Sequence, residues 1–298
     1  MPRMHPDELD VDAPLVGCLL AAQFPHWADL PLAPVPSSGT DHALFRLGEE
    51  MVVRLPRIHW ATAQAELERR WLPRLAPRLP LAVPEQLALG EPGEGYPWPW
   101  AVYRWLAGES AIHAPIGESV QAAADLARFL LALRAIDPTG GPAADTASGG
   151  RGAPLAARDA VTRDAIARSR GLVDTVAVTA AWDDALRAPA YEGPPVWIHG
   201  DLEPGNLLVR DGRLSAVIDF CCLCLGDPAC DLIPAWSVFT GEARGIFRAT
   251  LAVDDAAWAR GKGWAISTAL IALPYYVDTN PVMAAGARRK IAAVLGKG

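Results

Sequence analysis

The stretch of sequence that most constrains the fold is residues 196–231, which reads VWIHGDLEPGNLLVRDGRLSAVIDFCCLCLGDPACD. It contains two apolar runs, at 207–209 and 214–218, separated by four residues that include Asp211-Gly212. Asp-Gly between two such runs favours a two-residue hairpin turn, because both turn positions need a positive φ. The sequence therefore predicts an antiparallel hairpin centred on this dipeptide.

The predicted hairpin brings polar side chains together at its open end. With the turn on the Asp-Gly pair, Val209 lies opposite Leu214. Continuing this register places Asn206 opposite Val217, and hence close to Asp219. A short Pro-Gly loop joins the same end to three preceding residues, His199, Gly200 and Asp201. The sequence therefore predicts two carboxylates and one amide oxygen converging at one place.

This set of oxygens suits phosphoryl transfer. The reaction needs a carboxylate that accepts or orients the proton of the acceptor hydroxyl, and it needs oxygen ligands for the Mg²⁺ ions that neutralise the phosphates. An Asp, an Asn five positions later and an Asp across a hairpin is the protein-kinase order of base, metal ligand and metal ligand. Taken singly, Asp and Asn also favour turns. The interpretation as a phosphoryl-transfer site therefore depends on the three residues occurring together at this spacing.

The strings HGDLEPGNLL, VIDF and GDPACDL together resemble the aminoglycoside and macrolide phosphotransferase family, whose members are relatives of the protein kinases. The resemblance implies that Asp201 is the catalytic base and that His199 braces its loop. It implies that Asn206 and Asp219 hold Mg²⁺. It also implies that Asp231 stabilises the catalytic loop from behind.

The front third of the chain supports the same family. Two β-prone runs, at 42–47 and 51–55, flank a Gly-Glu-Glu turn and predict a hairpin. In the resemblance, MVVRLPR is the third strand, and Arg54 lies where many relatives carry a phosphate-binding Lys. Glu68, in the following helix, is the carboxylate expected to pair with Arg54, and Glu66 is the competing choice.

The fold class expected from this pattern is α+β and protein-kinase-like, with two lobes. Residues 1–105 would form a nucleotide-binding lobe of antiparallel sheet plus a helix, and residues 106–298 a larger helical lobe for catalysis and acceptor binding. Helical spacing of apolar residues predicts a helix at 62–72 that Pro73 ends or kinks. A second helical stretch is predicted at 156–187.

Two departures from the family pattern concern residues near the expected phosphate and metal sites. Arg54 replaces Lys, and it would contact phosphate as a planar fork rather than as a point charge. Cys221 and Cys222 follow Asp219-Phe220, where close relatives often have Gly and Asp. With Cys224 and Cys230 nearby, these cysteines lack the two separated pairs typical of zinc sites, and we expect no bound zinc.

The acceptor is the least constrained part of the interpretation. Relatives bind it near the loop equivalent to 137–154 and the helices after Asp231. Carboxylates in this region would suit a polycationic aminoglycoside, namely Asp145, Asp159, Glu242, Asp254, Asp255 and Asp278. Aromatic residues there would suit a bulky, mostly apolar macrolide, namely Trp236, Trp258, Trp264, Tyr275 and Tyr276. The acidic composition favours the aminoglycoside first and the macrolide second.

Three functions stay open on the sequence. The first is an antibiotic phosphotransferase that uses ATP or GTP and Mg²⁺ to modify a small-molecule hydroxyl. The second is a metabolic kinase of the same fold, acting on a sugar, an amino alcohol or a choline-like acceptor. The third is a non-catalytic nucleotide-binding relative, given the departures described above.

The composition narrows the partners and the compartment. A net charge of −7 argues against nucleic-acid binding, since neutralising phosphates needs clustered Lys and Arg. No apolar run approaches the roughly 20 residues of a membrane-spanning helix. Five cysteines, an odd number, fit a reducing compartment better than a set of disulfides. We therefore expect a cytoplasmic monomer or homodimer with no nucleic-acid or membrane partner.

Overall fold

The computed structural model describes residues 5, 7–37, 39–145 and 148–297. They form two compact units. The first unit comprises the described residues up to Ala107, except Arg78–Leu81. Those four residues group with the second unit, which otherwise begins at Gly108. The assignment of nucleotide binding to the front of the chain and acceptor binding to the rest stays a prediction.

The first unit contains a five-stranded antiparallel sheet with strand order β1-β2-β3-β5-β4. Its strands are β1 (Leu32–Pro34), β2 (His42–Leu47), β3 (Met51–Pro56), β4 (Gln86–Gly90) and β5 (Trp100–Arg104). Two α-helices belong to the same unit, α1 (Ala13–Gln23) and α2 (Gln64–Leu75). β2 and β3 form the hairpin that the sequence predicts, with Leu47 opposite Met51.

Each face of this sheet buries a different set of side chains, because successive residues of a strand point to opposite faces. Trp100 and Val102 of β5 belong to the core that includes the buried side of α1. Ala101 and Tyr103, which alternate with these residues along β5, pack with Ala65 of α2 on the other face. Strand β5 is consequently buried on both faces.

Helix α2 extends further than the sequence predicts. It runs to Leu75, so Pro73 lies inside its last turn and does not end it. A proline at this position removes one backbone hydrogen bond. Trp71, Leu72 and Leu75 are nevertheless almost fully buried, so packing holds the last turn in place.

The second unit is mostly helical. Its α-helices are α3 (Val120–Arg134), α4 (Asp159–Arg168), α5 (Thr175–Leu186), α6 (Pro234–Ser237), α7 (Gly241–Leu251), α8 (Asp255–Tyr276) and α9 (Pro281–Val294). Helix α8 packs against α4, α5 and α9, and α3 packs against α7. Among the described residues, no helix has both the length and the apolar character needed to cross a membrane.

The helical stretch predicted at 156–187 is interrupted. The structure has two α-helices there, α4 and α5, with a break between Ser169 and Asp174. Gly171 lies in the break with a φ of +79°, a backbone conformation that a helix cannot contain. Asp174 then caps α5 by accepting a hydrogen bond from the Ala177 backbone N–H at 3.0 Å.

Short strands in the second unit carry the polar residues of interest. β6 (Glu109–Ser110), β8 (Leu207–Arg210) and β9 (Arg213–Val217) form one small sheet, and β7 (Val196–Ile198) pairs with β10 (Cys224–Gly226). The predicted turn between β8 and β9 is confirmed by the positive φ of Asp211, +52°, and of Gly212, +74°.

The predicted register of this hairpin is correct only near the turn. Val209 lies opposite Leu214, as expected, but Val217 lies opposite Leu207 rather than Asn206. The reason is a β-bulge at Ser215, which adds one residue to β9 and shifts the pairing beyond it.

Candidate active site

The loop after β7 is held by His199, which is fully buried. Its Nε2 lies 3.0 Å from the Ile218 carbonyl oxygen, which can only accept, so Nε2 carries the proton. Its Nδ1 therefore accepts a hydrogen bond from the Asp201 backbone N–H at 3.2 Å. The imidazole also packs on Phe220, with ring centroids 4.5 Å apart. His199 thus ties the loop to the segment that follows β9.

Asp231 supports the same loop from the protein interior. Its carboxylate is fully buried and accepts two backbone hydrogen bonds, from His199 N–H at 2.9 Å and from Gly200 N–H at 2.8 Å. Gly200 has a φ of +82°, which lets the chain turn outward immediately before Asp201. The loop is therefore fixed from behind while Asp201 stays partly exposed.

The Asp201 carboxylate is held on both oxygens. Asn206 Nδ2 donates to Asp201 Oδ2 at 3.1 Å and to its backbone oxygen at 2.8 Å. Arg151 Nη2 donates to Asp201 Oδ1 at 3.1 Å. Burial raises the pKa of Asp201, and Arg151 opposes that rise, leaving the pKa above its usual value. The side chain is 24% exposed, so the carboxylate is oriented but reachable.

Arg151 is the contact that the sequence does not predict. It lies in the Gly- and Pro-rich segment 137–154, yet its side chain is only 17% exposed. Burial lowers the pKa of Arg151, but Asp201 and other nearby acidic groups offset this, so the pKa is raised overall. Among the described residues, its Nη1 has no hydrogen-bond partner.

The backbone around Arg151 is anchored by long-range contacts. Gly152 accepts a hydrogen bond from the Asp227 N–H at 2.8 Å, and Cys224 Sγ donates to the Arg151 carbonyl at 3.3 Å. Gly152 lies so close to β7 that an added Cβ would be 2.5 Å from the Ile198 side chain. These contacts are non-local in sequence, so no local pattern could have identified Arg151.

Asp219 follows β9 in an unusual backbone conformation. Its φ is +67°, which is uncommon for a residue with a Cβ and is often found at functional sites. The Ile218 N–H donates to the Asn206 carbonyl at 2.9 Å, so Asn206 and the start of the Asp219 segment are held together. The negative charge of Asp219 also contributes to the raised pKa of Asp201.

Asn206 and Asp219 offer the oxygen atoms that a hard divalent cation prefers. Because Asn206 uses its amide nitrogen on Asp201, its Oδ1 is left for a different partner. The half-buried Asp219 adds a carboxylate from the neighbouring segment after β9. Their donor chemistry is that of the Mg²⁺ ligands that the resemblance implies, and their assignment as ligands stays a prediction.

In the first unit, the structure brings Arg54 and Glu68 together. Arg54 Nη1 lies 3.3 Å from Glu68 Oε1. Glu68 is fully buried and also accepts hydrogen bonds from Gln64 Nε2 at 2.8 Å and from the Tyr103 hydroxyl at 2.6 Å. Glu66 is exposed, so Glu68 is the carboxylate that pairs with Arg54.

The four cysteines after Asp219 differ in their surroundings. Cys224 and Cys230 are buried, and Cys230 Sγ lies 3.8 Å from the Gly200 carbonyl. Burial raises the pKa of Cys224 to about 12. Cys221 and Cys222 are half-buried, with their sulfurs 3.5 Å apart. The contact with Cys222, together with burial, raises the pKa of Cys221 well above its usual value.

Several residues predicted to contact an acceptor have structural roles. Asp159 pairs with Arg163 at 2.9 Å and accepts from the Trp182 indole N–H at 2.8 Å. Asp254 caps α8, and Asp255 forms an ion pair with an arginine of α7. Trp264 is fully buried. Asp145 accepts a hydrogen bond from the Ser148 backbone N–H at 3.2 Å. Glu242 and Asp278 are exposed.

Comparison with known proteins agrees with this architecture. A family model described as the phosphotransferase enzyme family matches residues 33–264. No curated protein sequence matches the chain. The GDP complex of aminoglycoside 2'-phosphotransferase-IIIa is 17% identical, covers 97% of this chain and 100% of its own, and has a TM-score of 0.74.

Macrolide phosphotransferases show the same likeness. The macrolide 2'-phosphotransferase MphH from Brachybacterium faecium is 23% identical, with 95% of this chain and 98% of its own covered and a TM-score of 0.62. A macrolide 2'-phosphotransferase type I is 22% identical, with 94% and 97% covered and a TM-score of 0.63. The predicted α+β, kinase-like fold is thereby confirmed. Because the family model spans most of the chain, the chain belongs to the phosphotransferase enzyme family and is itself a phosphotransferase.

Proposed function

We propose that this chain transfers the γ-phosphoryl group of ATP or GTP to a hydroxyl group of a small molecule. The observation that carries the proposal is the Asp201 carboxylate, held by Arg151 and Asn206 on a loop fixed by His199 and Asp231. A partly exposed carboxylate held in one orientation suits a base that positions a hydroxyl for in-line attack. Catalysis of this kind depends on positioning and charge neutralisation more than on strong basicity.

Each residue has a distinct role in the proposed mechanism. Asp201 accepts or orients the proton of the acceptor hydroxyl, and His199 keeps its loop in place. Asn206 and Asp219 would hold Mg²⁺, which neutralises phosphate charge when bound. Arg54, oriented by Glu68, would donate hydrogen bonds from its planar guanidinium to a phosphate of the nucleotide.

A nucleotide co-substrate is supported by the proteins of similar fold. Their solved structures include a GDP complex, an ADP complex and a ternary complex with ATP. We propose ATP or GTP as the phosphoryl donor on this basis.

Acceptor-dependent release of ADP or GDP, measured over a panel of hydroxyl compounds, tests the function. Intact nucleotide binding without turnover on any acceptor would favour the non-catalytic alternative.

For the acceptor, we propose an aminoglycoside first. The chain is acidic, with a net charge of −7, and Glu242 and Asp278 remain exposed in the second unit. A mostly apolar acceptor such as a macrolide, which carries less positive charge, is the second candidate, because the positive charge of Arg151 stands beside Asp201 and would disfavour a polycation there. The half-buried Trp258, which lies against the buried Trp236 with ring centroids 4.7 Å apart, would suit an apolar ring.

The two acceptor classes are expected to differ in their response to salt. If the acceptor is an aminoglycoside, its Michaelis constant should rise steeply between low and high ionic strength, because added ions screen each charge pair. The nucleotide Michaelis constant, measured in the same series, serves as the control for general effects of salt on the enzyme. An acceptor constant that does not respond to salt would remove the aminoglycoside from first place.

Asp219→Ala is expected to weaken Mg²⁺-dependent nucleotide binding by at least about tenfold, since even outer partners of a bound metal contribute on this scale. Nucleotide titrations with and without Mg²⁺ measure the effect. Because the φ of Asp219 is +67°, Asp219→Gly is the matched variant that removes the carboxylate without backbone strain. Asp184→Ala, on an exposed helix surface, controls for the change in charge. Wild-type metal dependence in both Asp219 variants would exclude Asp219 as a ligand.

A further inference from the structure

Cys221 and Cys222 form a pair of neighbouring thiols that the proposed mechanism does not use. Their sulfurs lie 3.5 Å apart, and both residues are half-buried rather than enclosed. The other cysteines of the second unit, Cys224 and Cys230, are buried and directed at backbone carbonyls. The adjacent pair therefore combines two thiols that lie close together on residues that are only half-buried.

A disulfide is a poor product for this pair. Adjacent residues in a trans chain have Cα atoms about 3.8 Å apart, whereas a relaxed disulfide needs roughly 4.4–6.8 Å. Oxidation to a direct S–S bond would therefore strain the backbone between Cys221 and Cys222. The two thiols are better suited to binding one atom between them.

The number of ligands selects the kind of atom. Zinc in a structural site takes four protein ligands. Among residues 5, 7–37, 39–145 and 148–297, no group of three or more His, Cys, Asp or Glu side chains could hold a metal ion. The two sulfurs, 3.5 Å apart, are close enough to bond to one atom placed between them. A centre that needs only two thiols matches this site.

We propose that Cys221 and Cys222 form a binding site for trivalent organoarsenicals, R–As=O. Such a compound needs two thiols and no further ligand. Two As–S bonds form, and the two S–H bonds and the As=O bond break. The oxygen leaves as water with both thiol protons, and arsenic stays trivalent, so no oxidant or reductant takes part.

The site adjoins the loop that carries Asp201. A Cβ added to Gly200 would lie 2.8 Å from Cys222 Cβ and 3.2 Å from Arg151 Cβ, so these groups are in close contact. An arsenical bound across the two sulfurs would add bulk immediately beside this contact. Modification at this pair is therefore expected to disturb the segment next to Asp201.

The probe for the test is phenylarsine oxide, titrated into the reduced full-length chain. We expect one adduct per chain by intact mass and the loss of two titratable thiols, mapped by proteolysis to the peptide containing Cys221 and Cys222. A dithiol such as 2,3-dimercaptopropanol should reverse the adduct, whereas an equal concentration of a monothiol should not, because chelation by two linked thiols is far stronger than binding by one.

Single variants separate the pair from the other thiols. Cys221→Ser and Cys222→Ser, each repeated as the Ala variant, should weaken arsenical binding by about a hundredfold, because the second bond becomes intermolecular or is lost. Cys18→Ser, which removes an exposed thiol of the first unit, should bind like wild type. Undiminished binding in a Cys221 or Cys222 variant, binding lost in Cys224→Ser, or adducts mapped only to Cys18 would overturn the proposal. The peptide mapping of the wild-type adduct decides the matter even where a variant does not fold.

Discussion

Asp201→Asn is expected to lower the rate of phosphoryl transfer by roughly a hundred- to ten-thousand-fold, the range that a positioned general base contributes. Asn keeps the shape of the side chain and can still accept a hydrogen bond, but it cannot take the proton of the acceptor hydroxyl. The nucleotide Michaelis constant should change little, because the proposed nucleotide and metal contacts come from other residues. Steady-state turnover with a saturating acceptor, at fixed Mg²⁺, measures the loss.

The same substitution has a second effect, which comes from Arg151. In the wild type, the guanidinium donates to the Asp201 carboxylate at 3.1 Å, and Arg151 is only 17% exposed. Neutralising Asp201 removes the negative charge that balances this largely buried guanidinium, even though the Asn oxygen can still accept a hydrogen bond. The loss should lower the free energy of unfolding by about 1–3 kcal/mol. Urea denaturation of the purified variants tests this expectation.

A double variant separates catalysis from stability. Arg151→Met combined with Asp201→Asn replaces the charged pair by a neutral one, so the free energy of unfolding should recover toward the wild-type value. Phosphoryl transfer should stay lost, because the base is still absent. Turnover near the wild-type rate in Asp201→Asn would exclude Asp201 as the base. Recovery of turnover in the double variant would show that the single variant fails through misfolding of the loop.

The parts of the site that could be predicted from the sequence depend on local geometry. Asp211-Gly212 defines the hairpin turn because both residues adopt a positive φ, and the turn brings Asn206 near the segment that carries Asp219. The bulge at Ser215 has no such local signature, and it is the reason the predicted register fails beyond the turn. The hairpin was therefore predictable, whereas its exact pairing was not.

Helical periodicity distinguishes Glu68 from Glu66. Glu68 shares one helical face with Gln64, Trp71 and Leu72, all of which are buried, and Glu66 lies on the exposed side. The spacing alone could have excluded Glu66 as the partner of the strand arginine.

The contact of Arg151 with Asp201 could not be predicted from the local sequence. Its place beside Asp201 depends on contacts between segments more than seventy residues apart, such as that of the Asp227 N–H with the Gly152 carbonyl. Gly152 and Gly226 are packed so closely that an added Cβ on Gly226 would lie 2.5 Å from the Gly152 oxygen. A segment rich in Gly and Pro looks like an unconstrained loop in the sequence, and only tertiary packing shows that it is held.

Asp231→Ala is expected to reduce both the stability of the protein and the activity of the Asp201 loop. The substitution leaves the backbone N–H groups of His199 and Gly200 buried without an acceptor, and each such group costs about 1–3 kcal/mol. The free energy of unfolding should fall by the sum of the two, which is a large part of the stability of a typical domain.

Activity below the unfolding transition gives a second, independent measure of Asp231. The loop that carries Asp201 would lose two of its fixed points, so the turnover number should fall while the nucleotide Michaelis constant stays near the wild-type value. Asp184→Ala removes the same charge from an exposed position and should leave both quantities almost unchanged. Asp231→Asn is the stricter comparison, because its single amide oxygen can satisfy only one of the two N–H groups and its NH₂ faces the other. If Asp231→Ala unfolds with nearly the wild-type free energy, water must reach the two N–H groups, and Asp231 does not hold the loop from behind.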